Sequence, residues 1–320
     1  MVHILNVKEG HHFFEKLLNN SIFPINAYQY PYVSFSTAGI FTADCNLPLI
    51  GGFSNSRLQT STYERCLSNI LSKIGYRLEA YSASPCKNNY LYQFLANRGY
   101  TLHSTLNSFG GVERDSISFA EAAKLFSIMA PGVRKQPILL FLETIYSHTH
   151  DYVTDPYCKI RVNEKCPTIF HGWDCTDQVI EEFFRQFDKY NLSENTDIIL
   201  YSDHLHYSNN IYGDPRKIGI LIPSIGNMTR RKLLTRTSNL YDIAPTVLEM
   251  LNISIEPNFL YGATLLNETK EPIYPSFYDY IILNNVYYQT FSLSKSVADK
   301  TGAYSLQRVN SSQKSDFLNS

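Results

Sequence analysis

No stretch of about 18 consecutive apolar residues occurs in this sequence, so no segment of it is long enough to cross a bilayer as a helix. Neither charge sign dominates: 28 Lys and Arg face 29 Asp and Glu, for a net charge of -1. Without a Lys/Arg stripe there is no electrostatic footprint for a polyanion, and nucleic acid is not expected as a partner. The six cysteines form no CxxC pair and no Cys/His spacing suited to structural zinc. Charged residues make up only 18% of the chain against 44% hydrophobic and 14% aromatic, a balance that excludes general disorder.

What is present is enough for one large domain. A chain of 320 residues buries roughly 75% of its unfolded surface and needs no staples to hold a core. Cys158, Cys166 and Cys175 nevertheless crowd into one polar loop, where an oxidising compartment would let a bridge pin a long insertion. Buried free thiols are the alternative. The strand-like residues 2–7 follow Met1 directly, so an export signal or membrane anchor is expected only upstream of this chain.

Short β-rich apolar runs alternate with helical patterns, the signature of a doubly wound, mostly parallel α/β sheet with helices on both faces. Strands are expected at 2–7, 76–82, 137–144, 196–202 and 217–222; those at 137 and 196 are continuously apolar, as central strands covered on both faces are. Helices are expected at 61–74, 118–129, 174–190 and 239–251, from apolar residues at i, i+3 and i+4 spacing. In the third, Asp174 and Thr176 are read as caps before a core stripe of Val179, Ile180, Phe183, Phe184 and Phe187. The pattern divides the chain into a catalytic-type domain over 1–295 and a loosely ordered, Ser/Lys/Asn/Gln-rich tail over 296–320.

The sharpest chemical signal is Tyr201-Ser202-Asp203-His204 at the end of an apolar strand. Open α/β sheets hold their ligands outside the carboxyl ends of their strands. A carboxylate beside a neutral imidazole suits Zn²⁺ or Mn²⁺, and such an ion would activate an oxygen nucleophile and neutralise phosphate charge. Taken alone, such a pair is more often a structural hydrogen bond.

The order of the surrounding segments carries a resemblance. Asp242-Ile243-Ala244-Pro245-Thr246-Val247-Leu248-Glu249-Met250-Leu251 looks like the helix that follows the metal strand in sulfatases and their phosphotransferase relatives. Residues 137–150 resemble the family strand that ends in a Thr/His-rich loop at the substrate. Ser36-Thr37-Ala38-Gly39-Ile40, followed by Cys45-Asn46-Leu47-Pro48-Leu49, resembles the nucleophile segment of phosphoglycerol transferases that modify osmoregulated periplasmic glucans, near the lipoteichoic acid synthases. Asp174-Cys175-Thr176-Asp177, and then Ser202-Asp203-His204-Leu205, resemble the next blocks of that subgroup. The likeness covers residues 2–265 in order and places the chain in the alkaline phosphatase/sulfatase superfamily.

The resemblance implies an alkaline phosphatase-like fold, one divalent metal, Mn or Zn, and a metal-dependent phosphotransferase. It implies Asp203 and His204 as metal ligands, with a hydroxyl at Ser36 or Thr37 as nucleophile and Ser36 also at the metal; Ser36 as a simple helix N-cap is the bland alternative. His148, His150 and His206 are expected at the substrate. The donor would be a phospholipid or phospho-glycan and the acceptor an envelope glycan, with the protein in the bacterial periplasm or on the outer face of the inner membrane. The subgroup also implies bridges Cys45 to Cys66 and Cys158 to Cys175. The sequence departs from the pattern at Asn6, which stands where the family has a carboxylate ligand. Three readings follow: Asn6 ligates as a neutral donor, Glu9 takes its place, or the site is degenerate. For a phosphate clamp, Lys87, Arg98 and Arg216 are the available cations. Phosphoethanolamine transfer, sulfate ester hydrolysis and a non-catalytic glycan- or lipid-binding module are the competing functions. Sulfatases require a Cys/Ser-x-Pro-x-Arg stretch, and the Ser36 segment has neither Pro nor Arg.

Overall fold

Alternation along the strands sends odd and even residues to opposite faces of a sheet, and here both faces meet helices. A computed structural model of the chain describes residues 12–29, 36–49, 66–82, 90–104, 114–129, 136–146, 155–159, 168–205, 217–224, 232–254, 259 and 261–275. These belong to one compact unit spanning residues 1–275. The expected strand at 2–7 and tail at 296–320 lie outside the described residues.

Two ladders form. Strands β1 (Ser21–Ala27), β5 (Leu200–Tyr201), β6 (Ile220–Pro223) and β7 (Lys232–Ser238) take the order β5-β6-β1-β7. Strands β2 (Arg77–Ser82), β3 (Thr101–Ser104) and β4 (Ile138–Glu143) take the order β3-β2-β4, both pairings parallel. In the first ladder β1 and β7 run parallel while β6 is antiparallel to both β1 and β5. The first ladder is therefore mixed and the second parallel, and β1 and β5, each antiparallel to β6, point the same way.

Helices α1 (His12–Asn19), α5 (Asp115–Ala123), α6 (Phe126–Met129) and α7 (Thr168–Lys189) share one core with Phe23, Tyr81 and Leu221 and with the flanking Leu140, Leu142 and Leu200. The neighbouring strand residues Ile22, Ile220, Ile222 and Tyr201 turn the other way, onto α2 (Ser36–Cys45) and α8 (Ile243–Met250). Leu139 likewise meets α8 and α3 (Leu67–Lys73). Helix α4 (Tyr90–Asn97) buries Phe94 against Phe41 of α2, with ring centroids 5.8 Å apart. The α/β architecture with helices on both faces is as the sequence pattern implied.

Several boundaries differ from expectation. Helix α7 starts at Thr168, so Asp174 and Thr176 sit inside it rather than capping it. Thr176 Oγ1 instead donates to the Gly172 carbonyl at 3.0 Å, and Asp177 accepts the Phe13 and Phe14 amides at 3.2 and 2.7 Å, capping α1 from across the core. The Phe stripe of α7 is core, as read; burying each such ring contributes roughly 2 kcal/mol. Residues 118–129 break into α5 and α6 at a turn, and the strand expected over 196–202 narrows to two residues. Strand β1 carries Pro24, which argues against a paired strand; the register shifts between Pro24 and Asn26, and this irregularity accommodates the missing donor. Strands β3 and β7 also went unread, being short or half-polar.

Both bridges implied by the family likeness are present, Cys45 with Cys66 and Cys158 with Cys175. The first ties the end of α2 to the N-cap residue of α3, where Asp44 also accepts from the Ser68 amide at 2.8 Å and its hydroxyl at 2.7 Å. The second ties residues 155–159 to α7, reinforced by the Gln178 amide, which bonds the Lys159 N–H at 3.0 Å and C=O at 2.7 Å.

Candidate active site

Strands β1 and β5 end on the same edge, and α2 begins beside them. Ser202 makes the last rung past β5, its amide donating to the Gly219 carbonyl at 2.8 Å. Asp203 and His204 are thus the first residues free of the ladder. The Asp203 carboxylate Oδ1 accepts the His204 amide at 2.9 Å, folding the chain back so that both side chains lie together. The His204 imidazole donates from Nδ1 to the Leu205 carbonyl at 2.6 Å. A carbonyl only accepts, so in the neutral ring Nε2 carries the lone pair. That Nε2 lies 3.3 Å from Ser36 Oγ and 3.7 Å from Asp203 Oδ2. The His204 side chain is 5% exposed and that of Asp203 32%, so the imidazole is enclosed while the carboxylate is reachable.

Ser36 is the first residue of α2, where unpaired amides give the helix a positive end. Thr37, the other hydroxyl read from the sequence, is 5% exposed in the interior. The helix comes this close because of Gly39: a Cβ there would fall 2.0 Å from the Asp203 carbonyl oxygen. Substituting Gly39→Ala is expected to push α2 off the strand end, with a loss of about 2 kcal/mol or more. Thermal melting and metal titration check this; an unshifted melt with unchanged metal affinity would show that helix and strand end separate freely.

Ser36 Oγ, His204 Nε2 and Asp203 Oδ2 form an O/N/O donor set. Tetrahedral ligands at about 2.0–2.2 Å from an ion stand roughly 3.3–3.6 Å apart; Ser36 Oγ and Asp203 Oδ2 stand 3.3 and 3.7 Å from His204 Nε2, close to that spacing. Such a donor set suits a divalent ion. Two other clusters of acid and cysteine occur among the described residues, at Asp44, Cys45 and Cys66 and at Asp155, Cys158 and Cys175. Their sulfurs are in disulfides, so neither offers a thiolate.

Two groups near this edge are raised, the Tyr201 phenol and the Asp115 carboxyl. Burial, and then Asp203, push the Tyr201 phenol well up, keeping it neutral. Asp115, at the start of α5, accepts the Ile145 amide at 2.8 and 3.0 Å and the Tyr146 amide at 3.0 Å, pinning the chain as it leaves β4. Burial raises its carboxyl to about 7 despite those bonds. Arg98 is buried, 4% exposed, with Cζ 5.2 Å from the Phe94 ring centroid. Asn6, His148, His150 and His206, with Lys87 and Arg216, lie outside the described residues.

A family model described as Sulfatase matches residues 45–253, well over half of the chain and inclusive of Asp203 and His204. The chain belongs to the sulfatase family. Ser36 lies nine residues before the matched segment (45 less 36). The sulfatase fold is shared with the lipoteichoic acid synthase LtaP of Listeria monocytogenes, at 15% identity and TM-score 0.66, over 80% of this chain and 69% of that one. A protein of the alkaline phosphatase superfamily from Vibrio parahaemolyticus gives 18% identity and TM-score 0.67, over 83% and 66%. The PsFucS1 sulfatase of a Pseudoalteromonas species gives 15% and 0.58, over 84% and 69%. No curated protein sequence matches the chain. The superfamily is one of hydrolases and transferases that generally use a divalent metal. Among the described residues no helix is long and apolar enough to cross a membrane.

Two contributors went unread in the sequence. Gln29, at the end of β1, accepts the Leu205 amide through Oε1; a lone Gln before an aromatic run carries no local signal. Gly39 is a glycine inside a helix, and that could have marked a close backbone approach.

Proposed function

We propose that this sulfatase-family chain transfers a substituted phosphate, with Ser36 as nucleophile and Asp203, His204 and Ser36 holding one divalent metal. The observation that carries the reading is the convergence of Ser36 Oγ and Asp203 Oδ2 on His204 Nε2, at 3.3 and 3.7 Å, at the N-terminus of α2. When bound, the metal supplies charge neutralisation at the phosphate and a lowered pKa for the hydroxyl. Ser36 Oγ loses its proton to solvent and attacks phosphorus, the bond to the donor's leaving oxygen breaks with that oxygen taking a proton from solvent, and Ser36 carries the phospho-substituent. A second hydroxyl, from an acceptor glycan or water, then displaces Ser36. The α2 N-terminus stabilises the developing negative charge beside Ser36. His204, with its proton held on Nδ1, keeps Nε2 facing the nucleophile.

Phosphate is favoured over sulfate because the segment from Ser36 to Ile40 has neither the Pro nor the Arg of the sulfatase stretch. The subgroup likeness favours phosphoglycerol or phosphoethanolamine donors and an envelope glycan or lipid acceptor. The two disulfides fit an oxidising, extracytoplasmic compartment, and the bacterial periplasm is our reading of it.

Protein purified without chelator is expected to hold close to one Mn or Zn per chain, and Asp203→Ala and His204→Ala to hold almost none, by elemental analysis. Wild type that stays empty after addition of both ions would replace this reading with that of a glycan- or lipid-binding module.

A further inference from the structure

We propose that Gln29 is a positioning residue for His204, acting through the peptide of Leu205. The inference rests on the reading of Asp203 and His204 as metal ligands and adds what holds them in place. Gln29 is anchored at the carboxyl end of β1: the Tyr28 amide donates to the Ser238 carbonyl at 2.9 Å, and Tyr28 bridges Lys217. Its Oε1 accepts the Leu205 amide. The carbonyl of the same Leu205 accepts the His204 Nδ1–H at 2.6 Å. One residue's backbone is therefore held on its N–H side by Gln29 and uses its C=O side to hold the imidazole.

A neutral imidazole has a single ring proton. Kept on Nδ1 by Leu205, it is absent from Nε2, the atom that faces Ser36 Oγ and Asp203 Oδ2. The loop that carries Leu205 has already left the ladder at Ser202, so the direction of its carbonyl is set by contacts such as this one. An amide side chain suits this position because it accepts as a carboxylate would but adds no charge beside the ion. Partners that orient a metal-binding imidazole typically change metal affinity by about 10- to 100-fold.

The test compares wild type with Gln29→Leu, which keeps the bulk and loses the acceptor, and with Gln29→Glu, which keeps the acceptor. Zn²⁺ is titrated into each by calorimetry, and ¹⁵N spectra of the metal-free proteins report the His204 tautomer. Gln29→Leu is expected to bind Zn²⁺ about 10- to 100-fold more weakly and to lose the Nδ1–H preference, while Gln29→Glu retains both. Wild-type affinity and tautomer in Gln29→Leu would overturn the proposal, and so would equal losses in both variants. If the wild type takes neither Zn²⁺ nor Mn²⁺ titrated in its place, the metal assignment fails, and the tautomer in the metal-free proteins still decides the role of Gln29.

Discussion

Ser36→Ala is expected to lower turnover of a phosphodiester donor by roughly 10⁴-fold while shifting the melting temperature little. The hydroxyl is at the first turn of α2, and its partner is the enclosed His204 Nε2 at 3.3 Å, an atom that also faces Asp203 Oδ2, so the loss falls on the site and not on the apolar packing of the core. Alanine is a good helix former, and the helix itself is retained. Thr37→Ala is the contrast. Thr37, the second residue of the helix, is buried, and its loss should cost stability before it costs chemistry. Acid-quenched wild type with donor should show a phospho-adduct on the peptide that contains Ser36. Full activity in Ser36→Ala, or an adduct on another peptide, would remove Ser36 as nucleophile.

Asp242→Ala is expected to be the most destabilising single change at a polar residue of the described core. Asp242 is fully buried and accepts from the Asn239 amide at 3.0 Å, the Ala263 amide at 2.7 Å and the Tyr274 hydroxyl at 2.8 Å. It also faces Arg236 at 3.4 Å, whose side chain is 5% exposed. Arg236 is further spent on the carbonyls of Thr237, Ala263 and Thr264, at 3.0, 3.0 and 2.9 Å. Deleting the carboxylate leaves a buried guanidinium without its counter-charge, a loss of about 3–5 kcal/mol. At roughly 2–4 °C per kcal/mol for a chain of this class, the melting point should fall by about 10 °C. Arg236→Met combined with Asp242→Leu should recover much of that, because an apolar pair leaves no charge to solvate. A drop of under about 2 °C in the single variant would show that water reaches Arg236.

Ser36 and Asp242 have roles that sequence likeness alone does not separate. Asp242 opens the segment that resembles the helix following the family's metal strand, and an acid in that position invites a catalytic reading. Its bonds are all structural: it completes a capping box with Asn239 and ties residues 261–275 to the end of β7. The same holds for Asp177, which lies in a family-like block and caps α1.

The sequence by itself determined the α/β class, the strands at 77–82 and 138–143, the Phe stripe of α7 and the adjacency of Asp203 and His204 at a strand end. These are local signals: period-2 and period-3.6 burial, and adjacency along the chain. Family resemblance added Ser36 and both disulfide pairings, which spacing alone left open. Only the tertiary structure set Ser36 beside His204 and buried Thr37, since both start the same helix and differ in which way the helix turns them. It alone showed Arg98 committed to the interior, Gly39 as the point where α2 touches Asp203, and Gln29 as a clamp on Leu205. The contacts of Ser36, Gly39 and Gln29 join residues far apart in the chain, 168 positions for Ser36 and His204 and 176 for Gln29 and Leu205. Such contacts depend on how β1, β5 and α2 stack at one sheet edge, and no local propensity encodes that.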